Sequence, residues 1–278
     1  MQVKTVSYTA PDAAQTLTNS LHETGFAILR DHPISSQHVQ SIYAGWEAFF
    51  ADESKHDLLR DPERQDGYFP FRSENAKGAA QKDLKEFYHV YPWGRLPAAL
   101  EQDTRKLYQD LFQLGITLLE WLDDASPKSI SGEFTQPLAD MMQASEQSLL
   151  RILHYPPLNE DVEPGAIRAA AHEDINLITL LVAGSEPGLQ AQDKSGIWHN
   201  ISCDPGMITI NNGDMLSLAT NKYFPSTPHR VVNPDGKNNK SRFSIPMFLH
   251  PRPEVMLNNE VSADGYLQQR LKEIGLKT

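Results

Sequence analysis

The sequence predicts a mainly β fold, a sandwich or jelly roll, with α-helices packed around it. Helical spacing of apolar residues is confined to the first half of the 278-residue chain and to its tail. From Leu149 onward, short apolar and β-branched runs alternate with turn residues, which is typical of sandwiches and jelly rolls. Eight strands are predicted, over residues 148–155, 166–173, 176–183, 188–192, 197–201, 206–211, 228–233 and 241–249.

The helices follow from apolar periodicity and from capping residues. Pro11 and Gly25 bracket the first helix, and Gly25–Arg30 then reads as a strand. Ser35 or Ser36 caps a second helix, whose aromatic and aliphatic positions recur on one face. Helices are predicted over residues 11–24, from 35 onward, over 100–123, over 137–143 and over 262–275.

Two polar stretches predict hairpin turns between strands. Asp193–Gly196 combines a Ser-Gly pair with acidic and basic neighbours, and Asn211–Asp214 contains Asn-Gly. Asn, Asp, Ser and Gly favour turns because they tolerate left-handed backbone angles or bond to their own backbone.

Residues 61–98 read as a loop-rich cover, because Gly, Pro and charged residues alternate there with aromatics. Loops on a rigid scaffold commonly carry specificity. Tyr68, Phe69 and Arg72 are therefore candidates to line a substrate entrance, and packing against the barrel is an equally good interpretation of all three. We expect substrate specificity to lie in residues 67–91 and in the C-terminal helix.

Length and linker composition favour one domain over residues 1–278, because no Gly/Ser-rich or charge-rich linker interrupts the chain. Within it we expect a helical N-terminal part with the cover segment, a jelly-roll core, and a tail with a helix. These parts span residues 1–147, 148–250 and 251–278.

Charge and cysteine content exclude several classes of protein. A net charge of −11 argues against binding to nucleic acid or to anionic membranes. No apolar run reaches 18 residues and no signal peptide is evident at Met1, so a cytoplasmic protein is expected. The single Cys203 excludes an internal disulfide and is better explained as a buried inert thiol than as a nucleophile. The sequence leaves the oligomeric state open.

His172, Asp174 and His229 are candidate metal ligands. In a strand, residues i and i+2 point to the same face, so His172 and Asp174 converge while Glu173 points away. His229 follows 55 positions after Asp174 in a second extended segment. Two imidazoles and one carboxylate form the facial set that leaves open positions on a non-haem Fe(II).

An anion receptor is predicted shortly after His229. Arg242 and Ser244 share one face of the predicted strand over residues 241–249. A guanidinium can accept a carboxylate through two parallel hydrogen bonds, and a hydroxyl adds a third donor. In so acidic a chain, an anionic cosubstrate needs a local cationic group of this kind.

This ordered set resembles the isopenicillin-N-synthase-like branch of the Fe(II)/2-oxoglutarate-dependent oxygenases. The matching phrases are spread over nearly the whole chain. They are His172-Glu-Asp174, Pro228-His229-Arg230-Val231, Arg242-Phe-Ser244, the Tyr155-Pro-Pro strand, Asn212-Gly-Asp214, Gly25-Phe26, Gly67-Tyr68 and Asp83-x-Lys85-Glu86-Phe87. Two phrases depart from the family pattern. The His229 to Arg242 spacing is longer, through a polar stretch over 234–240 that predicts a hairpin loop and should leave the strands on either side intact. In addition, Asp31-His32-Pro33 replaces Asn-His-Gly.

The resemblance implies a cupin-like jelly roll, the double-stranded β-helix, holding Fe(II) at His172, Asp174 and His229. It implies that 2-oxoglutarate, the cosubstrate, chelates the iron while Arg242, Ser244 and Tyr155 bind its distal carboxylate. Oxidative decarboxylation to succinate and carbon dioxide then accompanies hydroxylation or desaturation of a small-molecule substrate by dioxygen. His154, His199 and His250 remain alternative ligands, because each lies in or beside a predicted strand.

Two other functions stay open at this stage. One is an oxidase of the same branch that takes all its electrons from the substrate in a ring closure and uses no 2-oxoglutarate. The other is a non-catalytic or zinc-bound jelly roll that acts as a binding module. Activity that a chelator abolishes and Fe(II), but not Zn(II), restores would exclude the binding module.

Overall fold

Two β-sheets face each other in the computed structural model, which describes residues 1–74, 81–159, 162–202, 204–235 and 238–273. The larger sheet has eight strands in the order β1-β2-β10-β7-β12-β5-β4-β3, and the smaller has four in the order β6-β11-β8-β9. The strands are β1 Lys4–Ser7, β2 Phe26–Arg30, β3 Gly67–Phe69, β4 Glu86–Val90, β5 Leu149–Tyr155, β6 Ala169–His172, β7 Ile178–Val182, β8 Leu189–Gln192, β9 Trp198–Asn200, β10 Ile208–Asn212, β11 His229–Val231 and β12 Arg242–Leu249. This is the predicted double-stranded β-helix.

The eight strands predicted from residue 148 onward are all confirmed, with ends shifted by up to three residues. The structure adds four strands from the N-terminal part, of which only β2 was predicted. The cover segment was predicted to be loop-rich, and it contains two strands that were not predicted: β3 and β4 extend the larger sheet beside β5. Charged residues obscured β4: the buried Glu86 carboxylate is satisfied there by Lys55, His154 and Tyr68.

Six α-helices occur in the described residues. They are α1 Ala13–Thr24, α2 Ser36–Ala51, α3 Glu101–Ala125, α4 Lys128–Ser131, α5 Asp214–Ala219 and α6 Ala263–Glu273, with short 3-10 helices over Glu53–Leu58 and Asp140–Met142. Ser35 caps α2 by accepting a bond from the His38 amide. The predicted hairpin turn over Asn211–Asp214 is wrong, because β10 ends at Asn212 and Gly213 leads directly into α5, whose acidic first residue suits a helix N-terminus. The Asp193–Gly196 turn is confirmed between β8 and β9.

Two apolar clusters organise the molecule. The larger lies between the eight-stranded sheet and helices α1 to α3, around the fully buried Trp46. The smaller lies between the two sheets and draws on both, with Phe26, Phe87 and Tyr155 from one sheet and Ala191 and Val231 from the other. Side chains that share the second cluster therefore line the inside of the barrel.

The polar loop before β12 connects the two sheets. β11 pairs with β6 and β8, whereas β12 pairs with β5 and β7, so the loop over 234–240 is a crossover and the predicted hairpin is wrong. The strands on either side are intact, as expected. The division of the chain at residues 148 and 251 stays a prediction. Residues 274–275 of the predicted last helix lie outside the described residues, and so does Cys203.

Candidate active site

His172, Asp174 and His229 come together at one end of the smaller sheet. His172 and His229 are directly opposite each other in the β6–β11 pair, and their ring centroids are 4.4 Å apart. Asp174 lies two residues beyond the end of β6, with its Oδ1 atom 3.8 Å from Nε2 of His172 and 3.7 Å from Nε2 of His229. Of the residues that the structure describes, these three form the one group whose ligand atoms all lie within 4.8 Å and could hold a metal ion.

Backbone carbonyls orient both imidazoles. Nδ1 of His172 is 2.8 Å from the Ala170 carbonyl, and Nδ1 of His229 is 3.2 Å from the Thr227 carbonyl. A ring that donates its Nδ1 proton to a carbonyl keeps the Nε2 lone pair free for a metal. Burial lowers the pKa of His172, the nearby His229 adds to this effect, and Asp174 only partly opposes it. The neutral imidazole, which is the form that binds metal, is therefore favoured.

Hydrogen bonds from two neighbouring side chains fix the second carboxylate oxygen of Asp174. Oδ2 accepts hydrogen bonds from the Thr179 hydroxyl at 2.6 Å and from the Asn211 amide at 2.8 Å. Burial opposes ionisation, but His229, His172 and these two donors together lower the pKa of Asp174. The carboxylate is therefore ionised and turned so that Oδ1 faces the two imidazoles.

Gly25 brings the chain close to the strand of His229. Gly25 ends α1 with φ of +74°, and a Cβ atom there would lie within 3.0 Å of the Thr227 side chain. Thr227 in turn donates its hydroxyl to the Thr24 carbonyl, while its own carbonyl orients His229. A glycine is required at this contact by both the backbone angle and the close approach.

Arg242, Ser244 and Tyr155 also meet inside the barrel. Arg242 is directly opposite Tyr155 in the β12–β5 pair, with its guanidinium 5.1 Å from the centre of the Tyr155 ring. One Nη atom donates to the Ser244 hydroxyl at 3.2 Å, and Nε donates to the Glu186 carbonyl at 3.0 Å. Arg242 is 2% exposed and lines a cavity of about 710 Å³. A buried cation beside a hydroxyl fits a carboxylate.

Sequence reasoning missed Arg168, which lines the same cavity and is also almost fully buried. The sequence did contain a signal. Arg168 directly precedes β6 and is the charged residue in the otherwise apolar run Ala166–Ala171, and arginines are seldom buried unless they are paired.

A buried ionic cluster next to the metal group was also missed. Lys85 Nζ lies 3.0 Å from Glu74 and 2.9 Å from Asp83, and the Asp83 carboxylate accepts the amide of Ala170. Burial opposes the charge on Lys85, but Glu74 and Asp83 outweigh it and raise the pKa of Lys85. On the same side, Arg151 lies between the rings of Phe87 and Phe248 and donates to His89. The motif that begins at Asp83 was visible in the sequence, but the spacing of its residues does not reveal which ion pairs they form.

The three predicted substrate residues lie in different surroundings. Tyr68 packs in the larger cluster, beside the helices, and its hydroxyl bonds to Glu86, which favours packing over substrate contact for this residue. Phe69 belongs to the cluster inside the barrel and stacks on Phe87 at 4.5 Å. Arg72 is one-third exposed and pairs with Glu163 at 3.1 Å.

The alternative histidine ligands point to other partners. His154 bonds to Glu86 and Ser241, His199 to Asp193, and His250 to the Phe248 carbonyl. None of the three belongs to the metal-binding group described above. Within the described ranges, no helix has the length and apolar character needed to cross a membrane.

Helix α6 is anchored to the loop behind the metal group. The Tyr266 hydroxyl donates to Asp214 at 2.7 Å, and Arg270 lies 3.6 Å from the same carboxylate. The Asp214 amide donates to the Asp174 carbonyl at 2.7 Å. The C-terminal helix is therefore connected through one residue to a candidate ligand.

Comparisons with known proteins agree with this geometry. Residues 146–251 match the model of the 2OG-Fe(II) oxygenase superfamily, and residues 4–111 match that of the N-terminal region of a non-haem dioxygenase in morphine synthesis. A Shewanella oneidensis protein described as an oxygenase has a crystal structure that is 48% identical, with a TM-score of 0.90 and complete coverage of both chains.

Two further relatives point the same way. A Caulobacter crescentus protein described as a 2OG-Fe(II) oxygenase family member is 33% identical in its crystal structure, with a TM-score of 0.81, over 98% of this chain and 99% of that one. A 2-oxoglutarate-Fe(II) type oxidoreductase of Aspergillus fumigatus is 29% identical over 76% of this chain, and the match spans 61% of that relative's length.

Proposed function

The chain belongs to the 2OG-Fe(II) oxygenase superfamily, and from this premise we propose that it hydroxylates or desaturates a small molecule, with conversion of 2-oxoglutarate to succinate and carbon dioxide. Fe(II) and 2-oxoglutarate are the cofactors of this enzyme class. The observation that carries the proposal is the placement, within one barrel, of a two-histidine, one-carboxylate group and a buried arginine beside a hydroxyl.

The proposed iron ligands are His172, Asp174 and His229. The donor set fits Fe(II), because neither Nε2 atom has a hydrogen-bond partner in the described part of the chain and Asp174 Oδ1 faces both. Bound Fe(II) would supply activation of dioxygen, with coordination positions left open by only three protein ligands. The protein's own part is to hold these atoms in place through Thr179, Asn211 and two carbonyls.

Arg242, Ser244 and Tyr155 are proposed to bind the distal carboxylate of 2-oxoglutarate. The Tyr155 ring lies against the Arg242 guanidinium, which restricts the plane of the fork. Burial keeps water from competing for the same donors, so each hydrogen bond to the carboxylate is stronger than at the surface.

We propose that the small-molecule substrate approaches from the side of Phe69 and Arg72. Phe69 belongs to the cluster inside the barrel, and Arg72 lies three residues after the end of β3. The Lys85 and Arg151 cluster, which lies on this side, would supply the charged groups that select the substrate.

The test is anaerobic calorimetry of 2-oxoglutarate binding to the Fe(II)-loaded protein. Removing one partner of a buried charge pair costs about 2–5 kcal/mol, so Arg242→Ala should weaken 2-oxoglutarate roughly 30- to 5000-fold. Fe(II) affinity should stay near the wild-type value. Arg242→Lys should recover only part of the loss, because an ammonium keeps the charge without the fork.

Arg252→Ala is the matched control, since Arg252 binds the Asp140 and Gln143 carbonyls outside the barrel. Wild-type protein that binds Fe(II) but shows no heat with 2-oxoglutarate would contradict the proposed cosubstrate. If Arg242→Ala instead weakened binding of the prime substrate's own carboxylate, the enzyme would be an oxidase of the same branch.

A further inference from the structure

A second arginine, Arg168, lines the cavity of Arg242 and is almost fully buried. Arg168 is 1% exposed, and its backbone amide donates to the Asn233 side chain. One Nη atom of Arg168 donates to the Lys240 carbonyl, whereas Nε has no hydrogen-bond partner among the described residues. Buried arginine nitrogens are normally paired, so the part of the chain that the structure describes leaves the Arg168 guanidinium incompletely satisfied.

Arg168 and Arg242 share their surroundings. Their guanidinium carbons lie 6.0 Å and 5.1 Å from the centre of the same Tyr155 ring. Both residues line the cavity of about 710 Å³. Burial lowers the pKa of Arg168, and the like charge of Arg242 lowers it further, while Tyr155 and Glu186 act in the opposite direction.

Of the described residues, the acids that line this cavity are Glu186, Asp204 and Asp235, and none of them pairs with either guanidinium. Across residues 1–74, 81–159, 162–202, 204–235 and 238–273, neither guanidinium forms an ion pair with a carboxylate. Glu186 is the acid whose charge acts on Arg168, but its backbone carbonyl faces Arg242 and its carboxylate is 3.9 Å from Lys240. Two buried cations without a carboxylate partner are costly, and a bound anion would offset that cost.

We propose that Arg168 is a second cosubstrate-positioning residue, which forms with Arg242 a two-guanidinium pocket for the distal carboxylate of 2-oxoglutarate. This inference rests on the function proposed above. The pocket selects 2-oxo acids that carry a second carboxylate, because a neutral end would leave both cations unpaired. Tyr155 serves as the common surface that keeps the two forks apart and on one side of the ligand.

The experiment compares two ligands that differ at the distal end alone. Anaerobic calorimetry on the Fe(II)-loaded protein measures 2-oxoglutarate and 2-oxopentanoate, which has a methyl group in place of the distal carboxylate. Arg168→Gln should weaken 2-oxoglutarate at least about tenfold, or about 1.4 kcal/mol. Its affinity for 2-oxopentanoate and for Fe(II) should stay within about twofold. Arg252→Gln serves as the control, because Arg252 binds carbonyls away from the cavity.

Arg168→Lys covers the case in which the glutamine variant does not fold, since it keeps the charge and removes the fork. Its preference for 2-oxoglutarate over 2-oxopentanoate should fall severalfold. An unchanged preference, or equal weakening of both ligands, would give Arg168 a structural role only and overturn the inference. Failure of the proposed function itself would be visible earlier, as wild-type protein that binds neither 2-oxo acid.

Discussion

Asp174 depends on two neighbours for its orientation. Thr179 and Asn211 occupy its Oδ2 atom, which leaves Oδ1 toward the imidazoles. Partners that orient a metal ligand commonly contribute 10- to 100-fold in metal affinity. A residue that never touches the metal therefore takes part in setting its affinity.

Asn211→Ala should weaken binding of Fe(II), or of Mn(II) as an air-stable substitute, by about 10- to 100-fold. Metal titration of the folded variant measures this directly. Asn212→Ala is the matched control, because the adjacent buried amide bonds to the Leu21 and Pro225 carbonyls instead. Asn212→Ala should lower stability and leave metal affinity unchanged. Equal metal affinity in the two variants would show that Asn211 does not orient Asp174 for metal binding.

At the scale of elements, the start of α5 fixes the loop that follows β6. Gly213 donates its amide to Leu177, Asp214 donates to Asp174, and Met215 donates to Asn176. A Cβ atom on Gly213 would lie within 3.0 Å of the Asn176 backbone and side chain. The φ angle of −105° is open to any residue, so the glycine is required by contact alone.

Gly213→Ala should therefore displace the loop that carries Asp174 and lower both stability and metal affinity. Overpacking of this kind typically costs about 1–3 kcal/mol. Chemical denaturation and metal titration measure the two effects. Gly45→Ala in α2 provides the comparison, because its new methyl group meets only the end of the partly buried Leu100 side chain. Wild-type metal affinity in Gly213→Ala would show that Asp174 does not depend on this contact.

For the whole molecule, buried histidines link stability to pH. Burial holds the pKa of His89 well below its ordinary value of 6.5, with the Arg151 cation adding to the effect. His32 and His250 are shifted in the same direction, chiefly by burial. The unfolded chain takes up protons on these rings at a pH where the folded protein does not, so stability is present above pH 6.5 and is lost as the pH falls below it.

The free energy of unfolding of metal-free protein should accordingly decrease between pH 6.5 and 5. Each histidine contributes up to about 1.4 kcal/mol per pH unit. His89→Gln keeps an acceptor for Arg151 and removes one such proton, so urea denaturation at several pH values should give a shallower slope. His56→Gln, at an exposed position, is the control. An identical slope in His89→Gln and wild type would show that folding does not lower the pKa of His89.

Local pattern alone was sufficient for much of the fold. The strands from β5 to β12 were predicted because apolar runs between turn residues are a short-range signal. β4 was missed because its charged and polar residues, such as Glu86 and His89, are paired by partners far away in the sequence. Polar residues that are buried with distant partners carry no local signature of burial.

By itself, the sequence determined the chemistry that is available: the spacing of His172, Asp174 and His229, and a strand that contains Arg242 and Ser244. Only the tertiary structure decided how the groups meet. The pairing of β6 with β11 places the two imidazoles opposite each other, and the inside of the barrel brings Arg168 beside Arg242. These contacts join distant parts of the chain, so they follow from strand register and sheet packing, which a linear pattern does not specify.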